Sequence, residues 1–132
     1  MPIEHVTTDR PYSISEVAEL TGLSTHALRY YERTGLMLVP VDRASSLHRR
    51  YSQADIRWVG FLTKLRSTSM PIARVRQYVD LVRRGDDTVA DRLELLLIHR
   101  MNVVAQLDEM TKSLAAIDFK IATYQGRVPS EL

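Results

Sequence analysis

Two groups of side chains in this sequence have types and spacing suited to chemistry: Ser24, Thr25, His26, Arg29 and Tyr30, and a few residues later Arg43, His48, Arg49 and Arg50. A guanidinium carries a permanent charge and a planar fork of donors that matches phosphate oxygens. Hydroxyls, an imidazole and an arginine at the exposed start of a helix suit the edges of bases and the phosphates beside them. The chemistry implied is recognition of a polyanion, not the making or breaking of bonds. Catalysis finds no support in the other reactive groups. His5, His26, His48 and His99 are scattered, with no paired carboxylates, serine–histidine pair or HExxH spacing near them. His99 could meet a carboxylate of a partner helix and respond to pH or metal, or be a plain surface residue. Cysteine is absent, which excludes disulfides, thiolate nucleophiles, iron–sulfur ligation and sulfur-rich metal sites. No catalytic set, metal site or cofactor is therefore expected.

The elements that must hold these residues follow from capping and periodicity. Residues 1–11 lack apolar periodicity and read as a loose arm. Ser13 followed by Glu16 has capping-box spacing, and Ile14, Val17, Ala18 and Leu20 supply the apolar face of a first helix that Gly22 ends. Ser24 caps a second helix in which Ala27, Leu28 and Tyr31 face inward and Thr25, His26, Arg29, Tyr30 and Arg33 lie outside the stripe; Gly35 stops it. Two helices joined by a tight turn at 21–23 match a helix-turn-helix that lays its second helix in the DNA major groove, although any αα-hairpin would read similarly. Leu36 to Tyr51, with Leu38, Val39 and Val41 before a polar bend, reads as a short hairpin bearing the arginines, either a wing along the DNA backbone or a solvated loop. Ser52 and Asp55 open a third helix with Ile56, Val59, Leu62 and Leu65 inward. Lys64 and Arg66 lie off that stripe, within reach of phosphate or simply solvated. Pro71 fits the first turn of a fourth helix, 72–83, whose Ile72, Val75, Val79 and Val82 pack inward and which Gly85 closes.

From Asp86 to Gln125 the sequence contains neither glycine nor proline. Within it Leu93, Leu96, Arg100, Val103, Leu107, Met110, Leu114, Ile117, Ile121 and Tyr124 recur at alternating steps of three and four, a coiled-coil seam with one polar occupant. Helical throughout, the segment spans roughly 55 Å at ~1.5 Å per residue, too long for a small domain to cover. A second copy of the chain is the simplest partner. Residues 12–85 thus read as a winged helix-turn-helix domain, 86–125 as a dimerisation helix and 126–132 as a tail, in a mainly α fold. Charge divides the same way: residues 1–85 hold 13 Lys/Arg against 8 Asp/Glu, and residues 86–132 hold 5 against 8. A basic front suggests a polyanion partner, or chance surface composition. No apolar run suits a membrane span and no secretion pattern opens the chain, so a cytoplasmic protein is expected.

The string from Tyr12 to Ala18, then Gly22-Leu23-Ser24, then Leu28 to Leu36, resembles the first two helices of the mercuric-resistance-regulator (MerR) family of bacterial transcription factors. Arg49, Tyr51, Ser52, Asp55 and Ile56 continue the likeness. His99-Arg100 through Tyr124 is similar to the long helix of its short aldehyde- and stress-responsive members. Leu47 and His48 stand where relatives often carry Gly-Tyr, and Ser69 where they commonly place glycine. The resemblance implies an antiparallel dimer gripping a palindromic operator in double-stranded promoter DNA, which it bends and untwists for RNA polymerase. It places Thr25, His26, Arg29 and Tyr30 at the groove and Arg43 and Arg49 on the wing. It also implies a sensor, whose usual cysteines are missing, so an unknown small-molecule effector stays open. Any pocket would use Trp58, Tyr78, Met101 or Tyr124, residues that equally suit a core. An effector-independent repressor, an architectural DNA-binding protein and a coiled-coil interaction adaptor are the alternatives.

Overall fold

Each helix start in the first part of the chain is written locally, by a hydroxyl that satisfies amides the helix leaves free. The computed structural model describes residues 11–38, 42–43 and 49–127, with 42, 43 and 49 through their backbone. It divides into two units, Met1–Arg92 and Leu93–Leu132. Residues 1–10 of the expected arm, Val39, Val41, His48 and the end of the tail lie outside the described residues.

Helix α1 spans Ile14–Thr21. The Ser13 amide donates to Glu16 Oε1 at 2.9 Å and the Glu16 amide to Ser13 Oγ at 3.1 Å, the expected capping box. Gly22, at φ 78°, closes the helix in the left-handed conformation that a side chain would disfavour. Val17 is fully buried, but Leu20 is 62% exposed, against expectation. On a helix of 3.6 residues per turn, the position four beyond Val17 shares its face better than the position three beyond. Thr21 is accordingly the half-buried residue, its hydroxyl donating to the Val17 carbonyl at 2.7 Å.

Helix α2 covers Thr25–Arg33, and Ser24 Oγ accepts the Ala27 amide at 3.0 Å. Leu28 and Tyr31 are buried as expected. The following hairpin is described at two residue pairs. Strand β1 is Asp42–Arg43 and β2 is Arg49–Arg50, antiparallel, with Asp42 opposite Arg50 and Arg43 opposite Arg49. Leu36 and Met37 do not extend it but are buried, 1% and 3% exposed. An unanticipated bridge links Tyr12 to Tyr51, each amide donating to the other's carbonyl at 2.8 Å.

Helix α3, Gln53–Ser67, starts on the Ser52–Asp55 capping box, with the reciprocal bonds at 2.9 and 3.1 Å. Val59, Leu62 and Leu65 are buried and Ile56 half-buried. Ser69 then adopts φ 72°, the one positive φ outside glycine among the described residues. Helix α4, Ile72–Arg84, runs one residue further than expected and starts at the expected residue, with Pro71 as its N-cap. There the missing amide costs nothing, because the helix offers that position no partner. Val75, Val79 and Leu81 are buried while Ile72 and Val82 are half-buried, so Leu81 belongs to a wider inward face than the stripe suggested.

A single 3-10 turn, Asp86–Thr88, follows Gly85. Thr88 is buried, its hydroxyl 2.6 Å from the Leu81 carbonyl and 2.8 Å from that of Gly85, while Arg92 Nε donates to Thr88 Oγ1 at 3.0 Å. Helix α5, Val89–Tyr124, runs 36 residues, about 54 Å at ~1.5 Å per residue. Gly126, at φ 78°, lies just beyond its end. No helix among the described residues is long and apolar enough to cross a membrane.

Candidate nucleic-acid interface

Ser24 serves first as the cap that fixes where α2 begins; as an acceptor from Ala27 it keeps its hydroxyl proton for an outward bond. One residue on, Thr25 is half-buried and His26 exposed. Arg29 is exposed, with Nη1 3.5 Å from Thr25 Oγ1, one turn back. Tyr30 is half-buried, its ring centroid 6.3 Å from that of Tyr31, and the Arg33 guanidinium sits 5.8 Å over the Tyr30 ring. The outer face of α2 thus presents hydroxyl, imidazole and guanidinium groups while its inner face is anchored by Leu28 and Tyr31. Arg33, outside the inward stripe as expected, adds a further guanidinium to this face.

The antiparallel register sets Arg43 across from Arg49 and brings Arg50, which is exposed, beside them in sequence. His48 lies outside the described residues. Lys64 and Arg66 are exposed near the end of α3, and Arg66 Nη1 donates to the Met70 carbonyl at 2.7 Å, so this guanidinium closes the helix end with part of its fork.

Trp58 and Tyr78 stack at 6.0 Å with 13° between their planes, and Phe61 meets Tyr78 at 5.6 Å. With Leu38, Ala54 and Arg57 they line an open cleft of about 350 Å³ within the first unit. Met101 and Tyr124, expected beside them, belong to the second unit. In that unit the seam residues divide: Leu96 and Val103 are half-buried, whereas Leu93, Arg100, Leu107, Met110, Leu114, Ile117, Ile121 and Tyr124 are exposed. Leu97, Ile98, Met101, Val104 and Phe119 are exposed as well, so the uncovered apolar surface is broader than the seam. His99 is half-buried on the same helix, far along the chain from the exposed His26.

Residues 12–81 match the model of the MerR HTH family of regulatory proteins. An uncharacterised HTH-type transcriptional regulator of Haemophilus influenzae is 32% identical over 114 residues, 86% of this chain and 84% of that protein. The HTH-type transcriptional regulator AdhR of Bacillus subtilis is 37% identical over 92 residues, 70% of this chain and 65% of that protein. Among solved structures, HiNmlR, a MerR family regulator lacking the sensor domain and bound to promoter DNA, aligns with a TM-score of 0.81 at 32% identity, covering 87% of this chain and 86% of that one. A MerR family regulator from Listeria monocytogenes aligns at 0.78 with 35% identity, covering 86% of each chain.

Proposed function

The chain belongs to the MerR HTH family of regulatory proteins, and from that premise we propose that it is a dimeric, sequence-specific DNA-binding regulator that grips a palindromic promoter operator and distorts the duplex to control transcription initiation. The observation that carries this reading is the likeness, over most of both chains, to a regulator that lacks a sensor domain and was solved on promoter DNA. In this reading α2 enters the major groove with Ser24, Thr25, His26, Arg29 and Tyr30. Arg43, His48, Arg49 and Arg50 follow the backbone as a wing, with Lys64 and Arg66 as flanking phosphate ligands. Affinity comes chiefly from displaced counterions, and base-edge contacts supply sequence preference.

The long apolar surface of α5 supports the dimer. Each such side chain gains roughly 1.5–3 kcal/mol on burial, and a second copy covers the exposed row by twofold symmetry. A dimer that holds its two DNA-binding domains at a set separation fixes the half-site spacing, so seating both heads on a duplex of different natural twist deforms that duplex. RNA polymerase at the promoter then reads the deformed geometry. A repressor that needs no effector is the second reading, favoured by the absence of cysteine.

Fluorescence anisotropy on a duplex from upstream of the gene, across a salt series, tests the proposal. Tight, salt-sensitive binding to a palindromic segment is expected. Equal affinity for a scrambled duplex at moderate salt would overturn it and leave the interaction adaptor as the better account.

A further inference from the structure

Thr34 to Leu38 connect the end of α2 to the hairpin, and every carbonyl in that run accepts a hydrogen bond from a side chain of α3 or α4. Arg76 Nη1 donates to Thr34 O at 2.9 Å, Arg83 Nη2 to Gly35 O at 2.8 Å, and Trp58 Nε1 to Leu36 O at 2.8 Å. Arg83 Nη2 also donates to Met37 O, and Arg83 Nε to Leu38 O at 3.4 Å. Connecting segments ordinarily turn such carbonyls to water. Here two guanidinium groups, seven positions apart on one helix, and an indole take its place. Asp80, with Oδ1 3.9 Å from Arg83 Nη1, sits beside the larger fork.

The far side of the run is equally tied. The amides of Thr34 and Leu36 donate to Tyr30 O and Tyr31 O, both at 2.9 Å, and that of Gly35 to Glu32 O at 3.2 Å. The segment is thus held by its amides to the last turn of α2 and by its carbonyls to α3 and α4. The cations also face the carbonyl end of α2, where positive charge is favoured by the helix dipole.

We propose that Arg83 and Arg76 are positioning residues for DNA recognition: they fix the angle of α2 and the take-off of the hairpin from α4, and determine operator specificity without touching the operator. The inference rests on the DNA-binding reading above. It assigns two cations of the basic front to a role that, unlike phosphate contact, leaves the salt slope unchanged. A phosphate ligand contributes alike to every sequence and adds about one ion to the salt slope, whereas a positioning residue affects only duplexes whose bases α2 must meet in register.

The test uses the full chain and two variants, Arg83→Met and Arg83→Lys. The second keeps the charge but loses the planar fork. Amide hydrogen exchange without DNA comes first, and both variants should exchange the Thr34, Gly35 and Leu36 amides about tenfold faster than the unaltered protein, since the clamp keeps the segment seated where those amides meet the Tyr30, Glu32 and Tyr31 carbonyls. Anisotropy on operator and scrambled duplexes follows. Both variants should lower the operator-to-scrambled ratio about tenfold, the size of one mismatched base pair, with the salt slope unchanged. Unaltered exchange in both variants would overturn the clamp. A slope lowered by about one in Arg83→Met and restored in Arg83→Lys would make Arg83 a phosphate ligand instead, and a lower melting temperature with an unchanged ratio would make it merely structural. Faster exchange, combined with no operator preference in the unaltered protein, would instead sink the DNA-binding reading beneath it.

Discussion

Val59 and Leu114 are aliphatic residues in the middle of helices of one chain, yet the first is fully buried and the second 56% exposed. The contrast holds for their surroundings. In the first unit the large aliphatic side chains of α2, α3 and α4 pack inside, and polar or cationic groups face out. On α5 leucines, isoleucines and methionines line the outside for most of its length. The first unit covers most of its large apolar side chains with its own residues, with Leu20 an exception, whereas α5 leaves a long row of them exposed. A sequence can satisfy its helix propensity alone, but not its hydrophobic effect.

The comparison breaks most completely if the surface of α5 is not used. Leu107→Asp with Leu114→Asp places two charges on it, and this double variant is expected to sediment as a single subunit and lose operator binding altogether; a dimer that survives would remove the reason given for the exposed row. Inside the first unit, Leu62→Ala should cost about 2–5 kcal/mol in chemical denaturation, the ordinary penalty of a cavity at a fully buried site. Leu93→Ala, at an exposed position, should cost far less in the isolated subunit. On the outer face of α2, Arg29→Ala should weaken operator binding by about 1–3 kcal/mol, or flatten the salt slope by about one ion if it meets phosphate. Unchanged affinity and slope would remove Arg29 from the interface. The smallest effect is a gain: Ser69→Gly should raise stability by about 1 kcal/mol, because a left-handed φ of 72° penalises a residue with a β-carbon and not glycine. A melting temperature that fell would mean the Ser69 side chain contributes more than the strain it carries.

What the sequence disclosed was what neighbours decide. Both capping boxes, Ser13 with Glu16 and Ser52 with Asp55, were legible because each is closed within three residues. The ends at Gly22 and Gly35 were legible because the left-handed turn selects the residue. Leu20 was misplaced because a count of apolar residues does not register that Thr21 stands closer to the Val17 face. Burial of Met37 and Met70 had no periodic signal, since both lie in connections between helices. The outward residues of α2 could be read from the inward stripe, but the bonds that aim the helix could not. Trp58 reaches Leu36 across 22 positions and Arg83 reaches Gly35 across 48, and nothing in either residue's neighbours announces its partner. A basic front read only as charge hides which arginines are committed to carbonyls.

The bridge between Tyr12 and Tyr51 has a consequence for how this head comes apart. It joins the lead-in to α1 to the lead-in to α3, so the intervening helices and hairpin form one loop closed by two backbone bonds. Peeling α1 away would break that closure and free the start of α3 in the same event, returning the loop's entropy at once. Fraying at the amino end is therefore coupled through that closure to the start of α3, far along the chain.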